Sequence, residues 1–301
     1  MAIFNEGEYA DKVVARALKK DKRWGSHDRK FVAETIYEIV RWKRLYTEIA
    51  EVKEPFDRDK IWRIFAVWAV LRGYTLPDWK YFEDTPVRRI KGKFDELTKT
   101  RKFRESIPDW MDELGVKELG EETWTKELAA QNEQAKVILR VNRLKTTKEK
   151  LRAILMDLNI ETEFHKDYPD ALILTERANV FLTDAFKDGL FEVQDASSQL
   201  VAYFLDVQPG MRVVDTCAGA GGKTLHLASL MENKGQLIAM DLYESKLKQL
   251  KIRAKRNGAF NIEPRVIEST KTIKKLHEKA ESSAALGNDS ARPVFAANPA
   301  M

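Results

Sequence analysis

The residues best suited to chemistry lie in one turn, Val213-Val214-Asp215-Thr216-Cys217-Ala218-Gly219-Ala220-Gly221-Gly222-Lys223-Thr224. A β-branched apolar run ends at Asp215, three glycines follow, and a helical pattern begins at Lys223. Glycine allows a tight turn with positive φ and brings backbone N–H groups against a ligand at a helix N-terminus. The turn is therefore pre-shaped for a nucleotide-like molecule. Two ligands compete for it. Gly-Lys-Thr ends a phosphate-binding loop, but such a loop requires a glycine six positions before its lysine, and that position is Cys217. A second strand, Gln236 to Met240, is followed by Asp241, 26 residues after Asp215, where a carboxylate can accept both ribose hydroxyls of an adenosine. The ribose clamp is favoured over the triphosphate cradle, and a phosphate-loop NTPase is the weaker reading.

Cys217 is the only cysteine, which removes structural disulfides, and His27, His165, His226 and His277 are too far apart to have zinc-ligand spacing. No metal and no catalytic residue is assigned. Cys217 lines the turn with no basic partner evident nearby, so it is not read as a nucleophile. His226, one turn into the following helix, is read as packed or exposed, and Lys223 could be no more than a helix-start lysine.

The elements that must hold this turn form an alternating series. Helix 197–205 precedes strand Arg212–Asp215, and helix Lys223–Met231, strand Gln236–Met240, helix Glu244–Asn257 and strand Pro264–Ile267 follow. That alternation predicts a parallel, doubly wound sheet over 196–280. A helix is expected at Lys271–Ala280, and the Ala/Ser/Asn/Pro-biased tail 281–301 offers no strand run, so the sheet is expected to stop at three strands with an exposed edge. Upstream, residues 106–195 read as a small α+β unit. It contains a helix at Glu121–Asn132, strands at Lys136–Asn142, Ala171–Leu174 and Leu190–Gln194, a helix at Thr147–Leu158, an extended stretch near Glu163 and a short helix near Ala185. Residues 1–105 have helical periodicity, with Ser26 as an N-cap and Trp24, Trp42, Trp62, Phe65, Trp68 and Trp79 as core positions.

Composition sets the outer bounds. With 301 residues, 44% hydrophobic and 33% charged, the chain can bury a sizeable core and is not largely disordered. The apolar run Ile61–Leu71 is broken by Arg63 and falls well short of the roughly 20 residues that span a bilayer. Met1–Lys20 carries acids and lysines with no long apolar stretch, so a cytoplasmic protein without membrane partners is expected. The net charge is +5, yet Asp241–Ala280 alone holds 11 Lys/Arg against 5 acids. A solvated helix face explains such a run, and so does a phosphate-facing surface.

The residues 215–224 resemble motif I of the Fmu/Sun-type (NOL1/NOP2/Sun) RNA cytosine-5 methyltransferases. Val193-Gln194-Asp195-Ala196-Ser197-Ser198-Gln199-Leu200 is similar to the segment that precedes that motif. Leu139-Arg140-Val141-Asn142 with Thr146-Thr147 resembles the family's RNA-contacting α+β subdomain, and residues 1–105 look like a divergent NusB-like domain. The resemblance implies S-adenosyl-L-methionine bound along Cys217, Ala218, Gly219, Ala220, Gly221, Gly222 and Lys223, with Asp241 on the ribose, and ribosomal RNA as partner. It also implies a thiolate that adds to cytosine C6, carried in the family beyond motif I together with an Asp-Ala-Pro-Cys turn. No cysteine follows Cys217 here. After the third strand, Glu268 falls slightly early and Thr270 stands in the place expected for an acid. The expectation is a methyltransferase truncated within its catalytic domain, through a frameshift near residue 280, and inactive alone. The alternative is a noncatalytic RNA- or cofactor-binding module.

Overall fold

In the computed structural model residues 1–20, 23–83 and 85–268 are described, together with the backbone of 294–296. They divide into two units, Met1–Gln134 and Ala135–Met301.

The first unit is helical: α1 Ala2–Asn5, α2 Ala10–Lys20, α3 Ser26–Arg41, α4 Lys43–Ala50, α5 Arg58–Leu71, α6 Val87–Leu97, α7 Arg101–Arg104, α8 Asp109–Leu119 and α9 Glu121–Asn132. Helix α3 is capped one residue earlier than the sequence suggests. Gly25 is the N-cap, and Asp28 accepts the Gly25 N–H at 3.1 Å from inside the first turn, so Ser26 is already helical. Asp57 caps α5 by accepting the Lys60 N–H at 2.8 Å. The core joins Leu45, Tyr46 and Ile49 of α4 to Ile64, Val67 and Trp68 of α5 and Ile90 of α6. The aromatic residues expected in that core divide. Trp68 is buried and Trp42 and Phe65 pack partly against the cluster, while Trp79, placed after the Leu76-Pro77 break, is exposed and meets Trp62 edge-on at 4.8 Å.

The second unit holds two sheets. Its elements are β1 Ile138–Val141, α10 Lys148–Asp157, β2 Thr162–Phe164, β3 Ala171–Leu174, α11 Asp184–Lys187, β4 Phe191–Val193, α12 Ala196–Phe204, β5 Arg212–Asp215, α13 Gly222–Leu230, β6 Gln236–Asp241, α14 Glu244–Asn257, β7 Ile262–Val266 and β8 Val294–Ala296. The first sheet is antiparallel in the order β2-β3-β1-β4. Strand side chains alternate between faces: Leu139 and Val141 enter the apolar cluster with Leu151 and Leu155 of α10 and Phe191 of β4, which leaves Arg140 and Asn142 on the opposite face.

The second sheet is parallel in the order β7-β6-β5-β8. Here the sequence reading is corrected, because the sheet has a fourth strand. Val294–Ala296 pairs with β5 through Val213↔Val294, Val214↔Phe295 and Asp215↔Ala296. A buried parallel strand with one unpaired edge presents a row of N–H and C=O groups that need partners. Val-Phe-Ala supplies strand-forming residues, in a run too short for periodicity to reveal. Strand β8 thus covers the side of β5 away from β6, and β7, which contains Pro264, stands at the other end of the sheet's order. Val213, Leu237 and Ala239 face a core with Leu225 and Leu227 of α13 and Leu247 and Leu250 of α14. The expected helix Lys271–Ala280 lies outside the described residues. Among the described residues, no helix is long and apolar enough to cross a membrane.

Candidate functional site

In an order 3-2-1-4 parallel sheet, the connection reverses direction at strand 1. Ligands in open α/β folds bind outside the carboxyl ends of the strands at that point. The strand at the reversal is β5, flanked by β6 and β8, and the glycine turn leaves its carboxyl end.

Gly219 (φ 55°) and Gly221 (φ 90°) adopt left-handed backbone. A Cβ on Gly221 would lie 2.1 Å from Leu250 Cδ1, so the turn is pressed onto α14. A Cβ on Gly222 would meet nothing within 4 Å, which marks the open side. Backbone donors tie the turn to the strand ends. Cys217 N–H donates to Asp215 Oδ1 at 3.2 Å, Ala218 N–H to the Met240 carbonyl at 2.8 Å, and Gly221 N–H to the Ala218 carbonyl at 2.9 Å. Asp241 Oδ2 accepts the Gly219 N–H and Asp241 Oδ1 the Tyr243 N–H, both at 2.8 Å. The residues 217–223 and Asp241, separate in sequence, are therefore one hydrogen-bonded site. Each carboxylate oxygen of Asp241 keeps a lone pair for a further donor. Asp215 is buried, which raises its carboxyl pKa against the pull of Thr224, whose hydroxyl donates to it at 2.7 Å.

Beside the turn is a cavity of about 260 Å³ lined by Asp215, Cys217–Ala220, Gly222 and Lys223, with Gln194, Ser198 and Arg253. The last three were not singled out from the sequence as site residues. Gln194 and Ser198 stand in the quoted 193–200 segment, and Gln194 Nε2 donates to Ser198 Oγ at 3.2 Å. Arg253 Nη1 donates to the Ala220 carbonyl at 2.8 Å, and Arg140 Nη1 to the Gly222 carbonyl and to Gln194 Oε1. Of these four, only Arg140 carries a signal in the sequence, a charge inside the apolar run Val137–Val141. Burial lowers Arg140 to about 10, which leaves it charged at neutral pH. Burial also pushes the Glu192 carboxyl up, and Arg253, Arg256 and Asn257 more than reverse this.

Arg140 and Asn142, from the run likened to an RNA-contacting unit, face inward: they are 1% and 3% exposed. Asn142 Nδ2 donates to the carbonyls of Gly189 (2.7 Å) and Asn257 (2.8 Å). His226 is fully buried, with Nε2 3.0 Å from Asp170 Oδ2. Burial lowers its pKa to about 4, so it is a neutral packed residue. Tyr203 and Arg143 complete the ring around Asp170 at 2.5 Å each. Glu268 follows β7 and is exposed, and Thr270 lies outside the described residues.

Two family models match this chain, the first reaching back over α8 and α9. The RsmF/B-like methyltransferase ferredoxin-like domain matches residues 107–181, and the 16S rRNA methyltransferase RsmB/F model matches residues 202–280, the stretch that carries the turn. The chain belongs to the NOL1/NOP2/Sun-type rRNA methyltransferase family. A probable ribosomal RNA small subunit methyltransferase B of Synechocystis is 29% identical over 84% of this chain and 64% of its own length. A ribosomal RNA small subunit methyltransferase B of Klebsiella pneumoniae is 35% identical over 46% of this chain and 32% of its own. The chain thus spans less than two thirds of these relatives. The solved structure of PH0851 covers 93% of this chain and 78% of its own, with a TM-score of 0.68 at 23% identity, and so shares the fold. The methyltransferase family thus rests on matches that include the turn itself.

Proposed function

We propose that this chain binds S-adenosyl-L-methionine along Cys217–Lys223 with Asp241 on the ribose, as the cofactor-holding part of an rRNA cytosine-C5 methyltransferase. The observation that carries this reading is the bond from Gly219 N–H to Asp241 Oδ2, which brings the glycine turn and the acid tip of β6 together at the reversal point of the sheet. The cradle fits the group: the open space over Gly222 admits it, and the spare lone pairs of Asp241 can accept ribose hydroxyls. When bound, the cofactor supplies a methyl group activated by its sulfonium. The protein's own part is to orient it, with Asp215 and Thr224 fixing the base of the turn. Cytosine C5 becomes nucleophilic only after a thiolate adds to C6, and the one thiol in these 301 residues, Cys217, lines the cofactor cavity. The 301-residue chain alone is therefore expected to bind the cofactor without methylating RNA.

Equilibrium dialysis with labelled S-adenosyl-L-methionine and a methyl-transfer assay on 16S rRNA test both halves. Saturable binding without transfer is expected. No binding removes the cofactor reading, and transfer removes the claim of inactivity. A noncatalytic RNA-binding role is the second reading, favoured by the exposed Lys246, Lys251 and Lys255 on α14. RNA affinity that falls steeply with salt, in a chain that binds no cofactor, would select it.

A further inference from the structure

The glycine turn is anchored in two different ways. The N–H groups of Cys217, Ala218 and Gly219 are satisfied by its own sheet, through Asp215, Met240 and Asp241. Two of its carbonyls are held by arginines from elsewhere. Arg253 of α14 donates to the Ala220 carbonyl, and Arg140 of β1, 82 residues upstream, donates to the Gly222 carbonyl. Both arginines lead back to the antiparallel sheet. Arg140 belongs to it, and its other acceptor, Gln194, follows β4. Arg253 is held at 2.9 Å by Glu192 of β4, which is itself 3% exposed. The sheet therefore reaches the turn directly through Arg140 and indirectly through Glu192 and Arg253.

Arg140 is an expensive way to fill this space. It is among the largest fully buried side chains, its Nη1 bonds are to neutral oxygens, and its Nε has no partner among the described residues. A buried guanidinium with such partners is not a good source of stability, since a well-packed apolar residue of similar volume often serves as well or better. What an apolar residue cannot do is donate to the Gly222 carbonyl. With Gly219 and Gly221 in left-handed backbone, the Ala220 peptide between them lies outside any regular ladder and takes an outside donor, Arg253, while Arg140 gives the Gly222 carbonyl, in the first turn of α13, a second donor from β1.

We infer that Arg140 and Arg253 are positioning residues for the cofactor turn, so that the antiparallel sheet is part of the S-adenosyl-L-methionine site. This rests on the cofactor reading above. Neither side chain is assigned a contact with reacting atoms. They set the geometry in which the turn receives its ligand.

The test uses the full 301-residue chain and the variants Arg140→Met and Arg140→Lys. Three quantities are measured: affinity for S-adenosyl-L-methionine by calorimetry, thermal midpoint, and amide hydrogen exchange of residues 217–224 without ligand. Arg140→Met is expected to weaken binding about tenfold, the scale of one lost hydrogen bond to a charged group, with little change in midpoint and faster exchange confined to the turn. Arg140→Lys keeps the charge and lacks the fork, and is expected to recover only part of the affinity. Unchanged affinity and exchange in both folded variants would overturn the inference, and so would a fall in midpoint with affinity intact. If Arg140→Met does not fold, Arg140→Lys carries the same comparison. If the unaltered chain binds no cofactor, the reading above fails, and ligand-free exchange alone decides whether Arg140 holds the turn.

Discussion

The two units solve the problem of a stable interior with different materials. Among the described residues, the helical unit buries only Thr35 and Glu105 as polar groups. The second unit buries Arg140, Asn142, Asp170, Glu192, Gln194, Asp215, His226 and Asn257, among others. Apolar packing tolerates exchanges of similar volume, whereas a buried polar seam fixes direction and register, and it loses most where a removed acceptor leaves several donors buried without a partner. The difference follows the work of each unit. The helical unit has the larger cavity, about 800 Å³ lined in part by Glu51, Arg63, Lys80 and Arg89, yet Glu51 is already paired with Arg89 and Lys93. The cavity beside the glycine turn in the second unit is smaller, about 260 Å³, and has the oriented groups around it.

The sharpest way to break this comparison is Asp170→Ala. It removes the acceptor shared by His226, Tyr203 and Arg143, leaves the buried His226 Nε2 and the half-buried Tyr203 hydroxyl without one, and should cost about 3–5 kcal/mol in the second unit. All seven tryptophans lie within Met1–Gln134, so tryptophan fluorescence reads the helical unit alone. Its urea midpoint should hold while exchange protection in the second unit collapses. A matching fall in the fluorescence midpoint would show that the units do not differ in this way.

Acid should separate them next. His226 titrates near 6.5 unfolded and about 4 folded, so below pH 6.5 the unfolded chain takes up a proton that the native state refuses. Stability present above pH 6.5 is lost as pH falls to 4, by about 3 kcal/mol at 1.4 kcal/mol per pH unit. Hydrogen exchange in α13 across that window checks it, and a flat profile counts against a buried neutral imidazole. Gly221→Ala is expected to come third. The Leu250 contact and the left-handed φ should destabilise by about 1–3 kcal/mol and weaken cofactor binding together, as calorimetry would show. Smallest is Lys126→Ala in the helical unit, where the pair with Glu122 is exposed on both sides. No measurable shift in the fluorescence midpoint is expected there.

Legibility in the sequence followed the same division. Strands β3 and β5 and helices α9 and α14 match the sequence reading residue for residue, because period and turn residues are local signals. The turn and Asp241 were legible for the same reason: a glycine run and an acid-tipped strand are each written in a few consecutive residues. Arg140, Gln194 and Arg253 were not, since their partners lie in other elements and nothing in their own neighbourhoods records where the carbonyls will be. His226 was seen, but not its acceptor Asp170, 56 residues earlier. Strand β8 was missed because three residues carry no period, and its partner β5 is far back in the chain.

The seam also has a consequence in time. Its bonds join residues distant along the chain: 82 apart for Arg140 and Gly222, 115 for Asn142 and Asn257, and 61 for Arg253 and Glu192. Such contacts reward folding only after long segments have been brought together, and long-range topologies fold slowly. In refolding, the tryptophan signal of the helical unit should therefore mature first, and the amides of Gly219–Thr224 should be among the last to become protected. The turn has its sequence from the moment it is synthesised, but it acquires its shape only when strands made far earlier have closed around it.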